Sequence, residues 1–272
     1  MPSSRVHRSL VLAIALSVIS PLTAASDQLS LSKEEIKHFL ATAKIIHAST
    51  AHKGVTSTWR LTLSDGTLTH DASFQSVNEY KANMAFISGR TELNFVDSYK
   101  YNIAAYSLAE MLGIDGLLPV YVERKWHGDK GSLSWWLPVK MDEEQRKKQG
   151  LHPPDSETWN RQMYKIRLFD QLVYDSDPNS TNVLIGENWQ LWRVDFTRAF
   201  RLYRDPPSVK DLDRCDRALF EKLKALETKE VIERTRGYLN NDEVKAVMMR
   251  RDKIVQSIQR LITEKGENQV LY

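Results

Sequence analysis

Three residues with oxygen-bearing side chains, Asp177, Asn182 and Asp195, lie in one short stretch of the second half of the chain. A carboxylate and an amide oxygen, completed by water and phosphate oxygens, suit Mg²⁺, because this ion keeps few protein ligands. A separate carboxylate five positions before the amide, as Asp177 stands before Asn182, can orient or deprotonate an attacking hydroxyl. The residue types therefore indicate phosphoryl transfer with a metal ion at Asn182 and Asp195.

A predicted β-hairpin positions these groups. Residues 182–185 form a short apolar strand, residues 186–188 a turn, and residues 191–194 the returning strand. Opposed residues in an antiparallel pair lie about 4.5–5.5 Å apart. We therefore expect Asp195, at the exit of the hairpin, to lie close to Asn182 at its entrance.

Each of the three residues also has a purely structural interpretation. Asp177 can form a turn with the Pro-Asn dipeptide that follows it, and Asn182 can be a turn residue at the start of a strand. A buried Asp195 needs a cation or hydrogen-bond donors, and Arg198 is the alternative to a metal ion.

The first half of the chain is rich in strand patterns. Residues 59–64 and 68–75 alternate in polarity around an Asp-Gly turn and predict a hairpin, and two more strands are expected at 120–126 and 132–139. Apolar residues at helical spacing predict a helix that is capped by Asp97 or Ser98 and stops at Gly113. In the second half, the same spacing predicts helices over 159–174 and 241–265. This order of elements indicates an α+β fold.

Residues 1–25 have the pattern of a secretory signal peptide. The basic residues Arg5 and Arg8 precede an apolar run over 10–19, and small residues follow at 24–25. The run is shorter than the roughly 20 residues that a membrane span needs. We therefore expect an exported, periplasmic or extracellular protein, with an uncleaved membrane anchor as the alternative.

The composition excludes several classes of protein. With 272 residues, 27% charged and 42% hydrophobic, the chain is neither collagen-like, disordered nor a multispan membrane protein. Its net charge of +3, part of which lies in the leader, does not imply a nucleic-acid surface. The single cysteine, Cys215, excludes an internal disulfide.

Two motifs in the second half of the chain resemble those of a known family. Asp-Pro-Asn-Ser-Thr-Asn at 177–182, followed by Val-Asp-Phe at 194–196, resembles the catalytic loop and metal-binding aspartate of the protein-kinase-like fold. The resemblance is to its atypical branch, which contains the secretory-pathway, HipA-type and phosphatidylinositol kinases. Phe-Asp-Gln-Leu at 169–172 is similar to the helix that leads into this loop. The resemblance extends from about residue 31 to the end of the chain.

The resemblance implies a two-lobed protein-kinase-like fold with a β-rich N-lobe over 31–137 and a helical C-lobe over 138–272. ATP and Mg²⁺ would bind between the lobes. By the same resemblance, Asp177 is the catalytic base, and Asn182 and Asp195 are the metal ligands.

The N-lobe motifs match the family less closely. Gly54-Val55-Thr56 resembles a reduced phosphate-covering turn, so Gly54 and Thr56 are expected at the nucleotide; the alternative for Gly54 is an ordinary turn glycine. The lysine that holds the phosphates falls at Gln75, and its glutamate partner falls near Asn102. These two amides can hydrogen-bond each other but supply no cation. The candidates to replace the missing cation are Lys53, Lys81 and Arg60.

Three hypotheses follow from these residues. The first is an exported kinase-like domain that binds ATP and Mg²⁺ and transfers phosphate to a hydroxyl of an unidentified protein, sugar or lipid acceptor. The alternative is a catalytically silent, pseudokinase-like binding or scaffolding protein, and the third is adenylyl transfer on the same scaffold. Contact with a membrane is expected only if the leader stays uncleaved.

Overall fold

A computed structural model describes residues 31–50, 58–85 and 91–272. The predicted signal peptide, Gly54, Thr56 and the candidate cation Lys53 lie outside the described residues. Residues 32–272 belong to one compact unit. None of the helices in the described part is both long enough and apolar enough to cross a membrane.

Seven of the ten strands of the described residues lie before residue 138 and make the N-terminal part rich in β-structure. In chain order, the ten strands of the described residues are β1 (Lys44–Thr50), β2 (Trp59–Ser64), β3 (Thr69–Gln75), β4 (Asn78–Ala85), β5 (Thr91–Ser98), β6 (Tyr121–Trp126), β7 (Asp129–Trp135), β8 (Val139–Asp142), β9 (Val183–Gly186) and β10 (Leu191–Arg193). An antiparallel sheet has the order β1-β2-β3-β7-β6, a second sheet has the order β10-β9-β8, and β4 pairs with β5 alone.

Six of the eight α-helices of the described residues follow β8 and make the C-terminal part mainly helical. In chain order, the α-helices of the described residues are α1 (Lys33–Thr42), α2 (Lys100–Leu112), α3 (Glu143–Lys148), α4 (Ser156–Val173), α5 (Arg217–Ala225), α6 (Thr228–Arg234), α7 (Asn241–Lys265) and α8 (Glu267–Val270). The sheet-rich part followed by the helical part confirms the predicted α+β class.

The five-stranded sheet and α2 form the core nearest to the site. Alternation in β2 and β3 turns Leu61, Leu63, Ala72 and Phe74 inward, and all four are buried. Helix α2 packs against β6 and β7 on one side and contacts α5 and α6 on another. Because α2 is buried along most of its length, its polar residues must find hydrogen-bond partners inside the protein.

The start of α2 differs from the prediction. Asp97 and Ser98 are not its N-cap, because they belong to β5 and the helix begins at Lys100. The predicted end is confirmed, since Gly113 has a φ of 68° and stops the helix in the left-handed region. The predicted helices of the second half are also present, as α4 and α7.

Candidate functional site

The hairpin that carries the sequence motif is present. Strands β9 and β10 pair with Val183 opposite Arg193, and the backbone N–H of Val194 donates to the carbonyl of Asn182 at 3.0 Å. Asn182 therefore stands opposite Val194, at the mouth of the hairpin, and Asp195 is the next residue along the chain. The backbone pairing thus brings the two predicted metal ligands to the same end of the ribbon.

Asp195 is held by neutral groups. Its Oδ1 accepts a hydrogen bond from Thr197 Oγ1 at 3.1 Å and a longer one from Gln75 Nε2 at 3.5 Å. Within the described part of the chain, no lysine or arginine side chain donates to this carboxylate. Its backbone has a φ of 63°, a left-handed conformation that costs a non-glycine residue about 1–3 kcal/mol and is found preferentially at functional sites.

Gln75 and Asn102 form the neutral link that the sequence suggested. Asn102 Nδ2 donates to Gln75 Oε1 at 2.8 Å and to Ser132 Oγ at 3.1 Å. Asn102 Oδ1 accepts from the backbone N–H of Phe196 at 2.7 Å. Four separate segments (β3, α2, β7 and the residue after Asp195) are therefore tied together by one buried amide.

Asp177 is fixed at both its backbone and its side chain. Its N–H donates to Asp175 Oδ1 at 3.0 Å, and its Oδ2 accepts from Arg198 Nη1 at 2.9 Å. The side chain of Asp177 nevertheless remains 45% exposed. Arg198, the alternative partner of Asp195, donates to the predicted base instead. The carboxylate of Asp177 is accessible to a reactant and has a defined orientation.

Arg193 is a structural residue of the site that the sequence did not reveal. Its side chain is 1% exposed and its Nε donates to Asp170 Oδ1 at 3.1 Å. Its Nη2 pairs with Asp175, and its Nη1 donates to the carbonyl of Val194. Burial raises the pKa of Asp170 to about 6, against the opposing effect of the Arg193 charge. The only sequence indication of this role is the position of the arginine between Trp192 and Val194 in an otherwise apolar strand.

Asp97 is a second carboxylate near Asp195 that had been predicted to cap a helix. Burial raises its pKa, and the nearby negative charge of Asp195 adds to this shift. Its Oδ1 is buried and has no hydrogen-bond partner among the described residues. Asp97, near the end of β5, is therefore an additional acidic residue close to the β9–β10 hairpin.

Arg60 and Lys81, the two candidate replacement cations within the described residues, pair with groups other than Asp195. Arg60 Nε donates to Asp71 at 2.8 Å, and its guanidinium lies 4.5 Å from the ring centroid of Trp136. Lys81 pairs with Glu79 at 2.7 Å. Neither Arg60 nor Lys81 contributes a charge to Asp195.

The donor set at the hairpin fits a hard divalent ion that relies on phosphate oxygens. Among the described residues, no group of three or more histidine, cysteine, aspartate or glutamate side chains could hold a metal ion by itself. A carboxylate from Asp195 and an amide from Asn182 would leave most ligand positions to water and to a nucleotide, as Mg²⁺ prefers. Such a site would require the metal and the phosphates together.

Comparison with solved structures identifies the fold. The chain aligns with the structure of hydra Fam20 with sugar at a TM-score of 0.64 and 17% identity, over 88% of this chain and 91% of that one. It aligns with the Golgi casein kinase with Mn/ADP bound at a TM-score of 0.62 and 14% identity, over 88% and 78%. It aligns with the Helicobacter pylori proinflammatory kinase CtkA at a TM-score of 0.55 and 9% identity, over 84% and 98%. No protein-family model and no curated protein sequence matches the chain.

These similarities confirm the predicted fold. The chain has the atypical protein-kinase-like fold, with a sheet-rich N-terminal part and a helical C-terminal part. At sequence identities of 9–17%, structural similarity establishes the fold and not the activity.

Proposed function

We propose that this chain, which has the fold of the atypical kinases, binds ATP with a divalent metal ion and transfers the γ-phosphoryl group to a hydroxyl. The observation that carries the proposal is the environment of Asp195. This carboxylate is fixed by Gln75 and Thr197 in a left-handed backbone conformation, with no cationic donor in the described part of the chain. An acid held in this way is suited to a metal ion.

The residues divide the chemistry between them. Asp195 and Asn182 would hold the metal ion, which neutralises phosphate charge when it is bound. Asp177 accepts the proton of the attacking hydroxyl as the acceptor oxygen bonds to the γ-phosphorus and ADP leaves, and Arg198 keeps the Asp177 carboxylate oriented. Gly54 and Thr56 remain the predicted contacts of the phosphates, and Gln75 and Asn102 shape the floor of the nucleotide site.

The acceptor and the compartment also belong to this proposal. A solved neighbour is described as carrying a sugar and another as a casein kinase, so a sugar or a protein hydroxyl is the first acceptor to test. The signal-peptide pattern of residues 1–25 supports action outside the cytoplasm.

A silent, nucleotide-binding role is the second candidate. It is favoured by the Gln75–Asn102 pair, which occupies the place of a lysine–glutamate ion pair with two uncharged amides. A neutral amide does not supply the positive charge that stabilises a transferring phosphoryl group. The two candidates share the same metal-dependent site and differ only in turnover.

Calorimetric titration of the chain without residues 1–25 tests the shared site. We expect ATP to bind with Mg²⁺ or Mn²⁺ present, to bind at least tenfold more weakly in EDTA, and to lose the metal dependence in Asp195→Asn. The matched control is Asp129→Asn, an exposed residue of β7. Absence of nucleotide binding with either metal would contradict both candidates.

Isotope transfer then separates the candidates. Label that moves from γ-labelled ATP to a sugar or protein acceptor, and that is lost in Asp177→Ala, supports phosphoryl transfer. Binding without any transfer supports the silent role. Label that arrives from the α-phosphate would support adenylylation instead.

A further inference from the structure

The β4–β5 hairpin is attached to the segment that follows Asp195. The backbone N–H of Ser98 donates to the carbonyl of Thr197 at 2.8 Å, and Arg201 Nη1 donates to the carbonyl of Val96 at 2.8 Å. Strands β4 and β5 pair only with each other. These contacts therefore tie the hairpin to residues 195–201.

Glu92, on β5, carries a buried negative charge into this contact. Its side chain is 3% exposed and lies 2.6 Å from Arg201 Nε and 3.8 Å from Arg198 Nη2. The ring of Phe95 lies beneath both guanidinium groups, with centroid distances of 5.3 Å for Arg198 and 5.5 Å for Arg201. A buried carboxylate is tolerated when it is paired, so Glu92 and the two arginines form one electrostatic unit.

Arg198 connects this unit to Asp177. Its side chain donates to Asp177 Oδ2, and its carbonyl accepts from the N–H and the Oγ of Ser176 at 3.3 and 2.9 Å. One residue thus holds both the carboxylate of the predicted base and the backbone just before it. Because the Asp177 side chain is half-exposed, packing alone does not fix its rotamer.

We infer that Glu92 is a positioning residue for Asp177, acting through Arg198. This inference rests on the proposed phosphoryl transfer, because it assigns Asp177 the role of base. Glu92 and Asp177 attract the same guanidinium group from two sides. Removal of the Glu92 charge takes away one of the two carboxylates that orient the Arg198 guanidinium, while the side-chain contacts of Asp195 with Gln75 and Thr197 do not involve Glu92.

The test compares Glu92→Gln with Glu79→Gln, an exposed residue of the same hairpin that pairs with Lys81. For Glu92→Gln we expect kcat to fall about tenfold or more, because small displacements of a reacting group are costly. The KM for ATP and the calorimetric affinity for metal–ATP should stay within about twofold of wild type. Glu79→Gln should leave all three quantities unchanged.

A second variant and a second readout guard against a folding defect. Arg198→Lys keeps a charge but lacks the planar fork that reaches two carboxylates, so it should reproduce the loss in kcat with an unchanged urea midpoint. Amide hydrogen exchange across residues 174–179 should accelerate in Glu92→Gln and not in Glu79→Gln.

The outcomes distinguish this inference from the proposed function. Wild-type kcat and wild-type exchange in Glu92→Gln would overturn the positioning role while the kinase proposal stands. A parallel loss of metal–ATP affinity would also overturn it, since Glu92 would then support the whole cleft. If the wild type binds metal–ATP but transfers nothing, the transfer proposal fails, and hydrogen exchange alone decides whether Glu92 holds the Asp177 loop.

Discussion

Replacing Asn102 with alanine should be among the most damaging single changes near the site. The side chain makes three hydrogen bonds, to Gln75, Ser132 and the N–H of Phe196, and is 1% exposed. A net hydrogen bond is worth about 1 kcal/mol, and a buried donor left without an acceptor costs about 1–3 kcal/mol. For Asn102→Ala we expect the free energy of unfolding to fall by about 3–5 kcal/mol, a large share of the roughly 5–15 kcal/mol typical of a domain.

Urea unfolding followed by tryptophan fluorescence measures this loss, since the chain has seven tryptophans. Asn83→Ala, at an exposed position of β4, is the matched control and should change stability by less than about 0.5 kcal/mol. Asn102→Asp keeps an acceptor for Phe196, but its ionised form loses both donated hydrogen bonds. Its destabilisation should grow as pH rises, because the unfolded chain ionises the new carboxyl more readily than the buried site does.

A loss below about 1 kcal/mol in Asn102→Ala would refute this reasoning, because it would mean that the hydrogen bonds around Asn102 contribute little net stability. A loss in Asn102→Asp that is independent of pH would show that the new carboxyl is solvated in the folded protein. Either result would remove the basis for treating β3, α2 and Phe196 as one connected unit.

Four other perturbations test the surrounding structure. Because burial raises the pKa of Asp170, the free energy of unfolding should fall as pH rises from the ordinary pKa of an aspartate through the raised pKa of the folded state, and this pH dependence, measured by urea unfolding, should be weaker in Asp170→Asn. Gly131→Ala would place a Cβ 2.6 Å from both the Gln75 carbonyl and the Phe74 ring, so its urea midpoint should drop by the equivalent of about 1–3 kcal/mol. Tyr101→Phe removes a buried hydrogen bond to Glu243 and should cost about 1.5–3 kcal/mol in the same assay. Burial raises the pKa of the Cys215 thiol to about 12, so a thiol reagent should modify it only on unfolding.

The elements with strong hydrophobic periodicity were predictable from the sequence. Alternating apolar residues gave the β2–β3 hairpin, and helical spacing gave α4 and α7 with an error of a few residues at the start of α4. In these elements the buried face alone decides the secondary structure. The β9–β10 hairpin was predictable for the same reason, since its strands bury alternate residues on either side of a short turn.

The β4–β5 hairpin was not predictable in this way. Nearly every residue of β4 is exposed, so the strand carries no apolar alternation that would distinguish it from a loop. Its position depends on Glu92 and Phe95 meeting two arginines that are about a hundred residues away in sequence. A single sequence contains no local signal for such a contact, and the assignment of Asp97 to a helix cap failed for the same reason.

The Gln75–Asn102 pair keeps a hydrogen-bonded link between β3 and α2 but lacks the charges of a lysine–glutamate ion pair. An amide both donates and accepts, so Asn102 can donate to Gln75 and Ser132 while it accepts from Phe196. A carboxylate in its place could only accept, and a lysine in place of Gln75 could only donate. The pair therefore keeps the sheet, the helix and Asp195 in register before any ligand binds. Under the proposed function, a metal ion at Asp195 would meet part of the phosphate charge, so the metal dependence of nucleotide affinity is the most direct measure of the site.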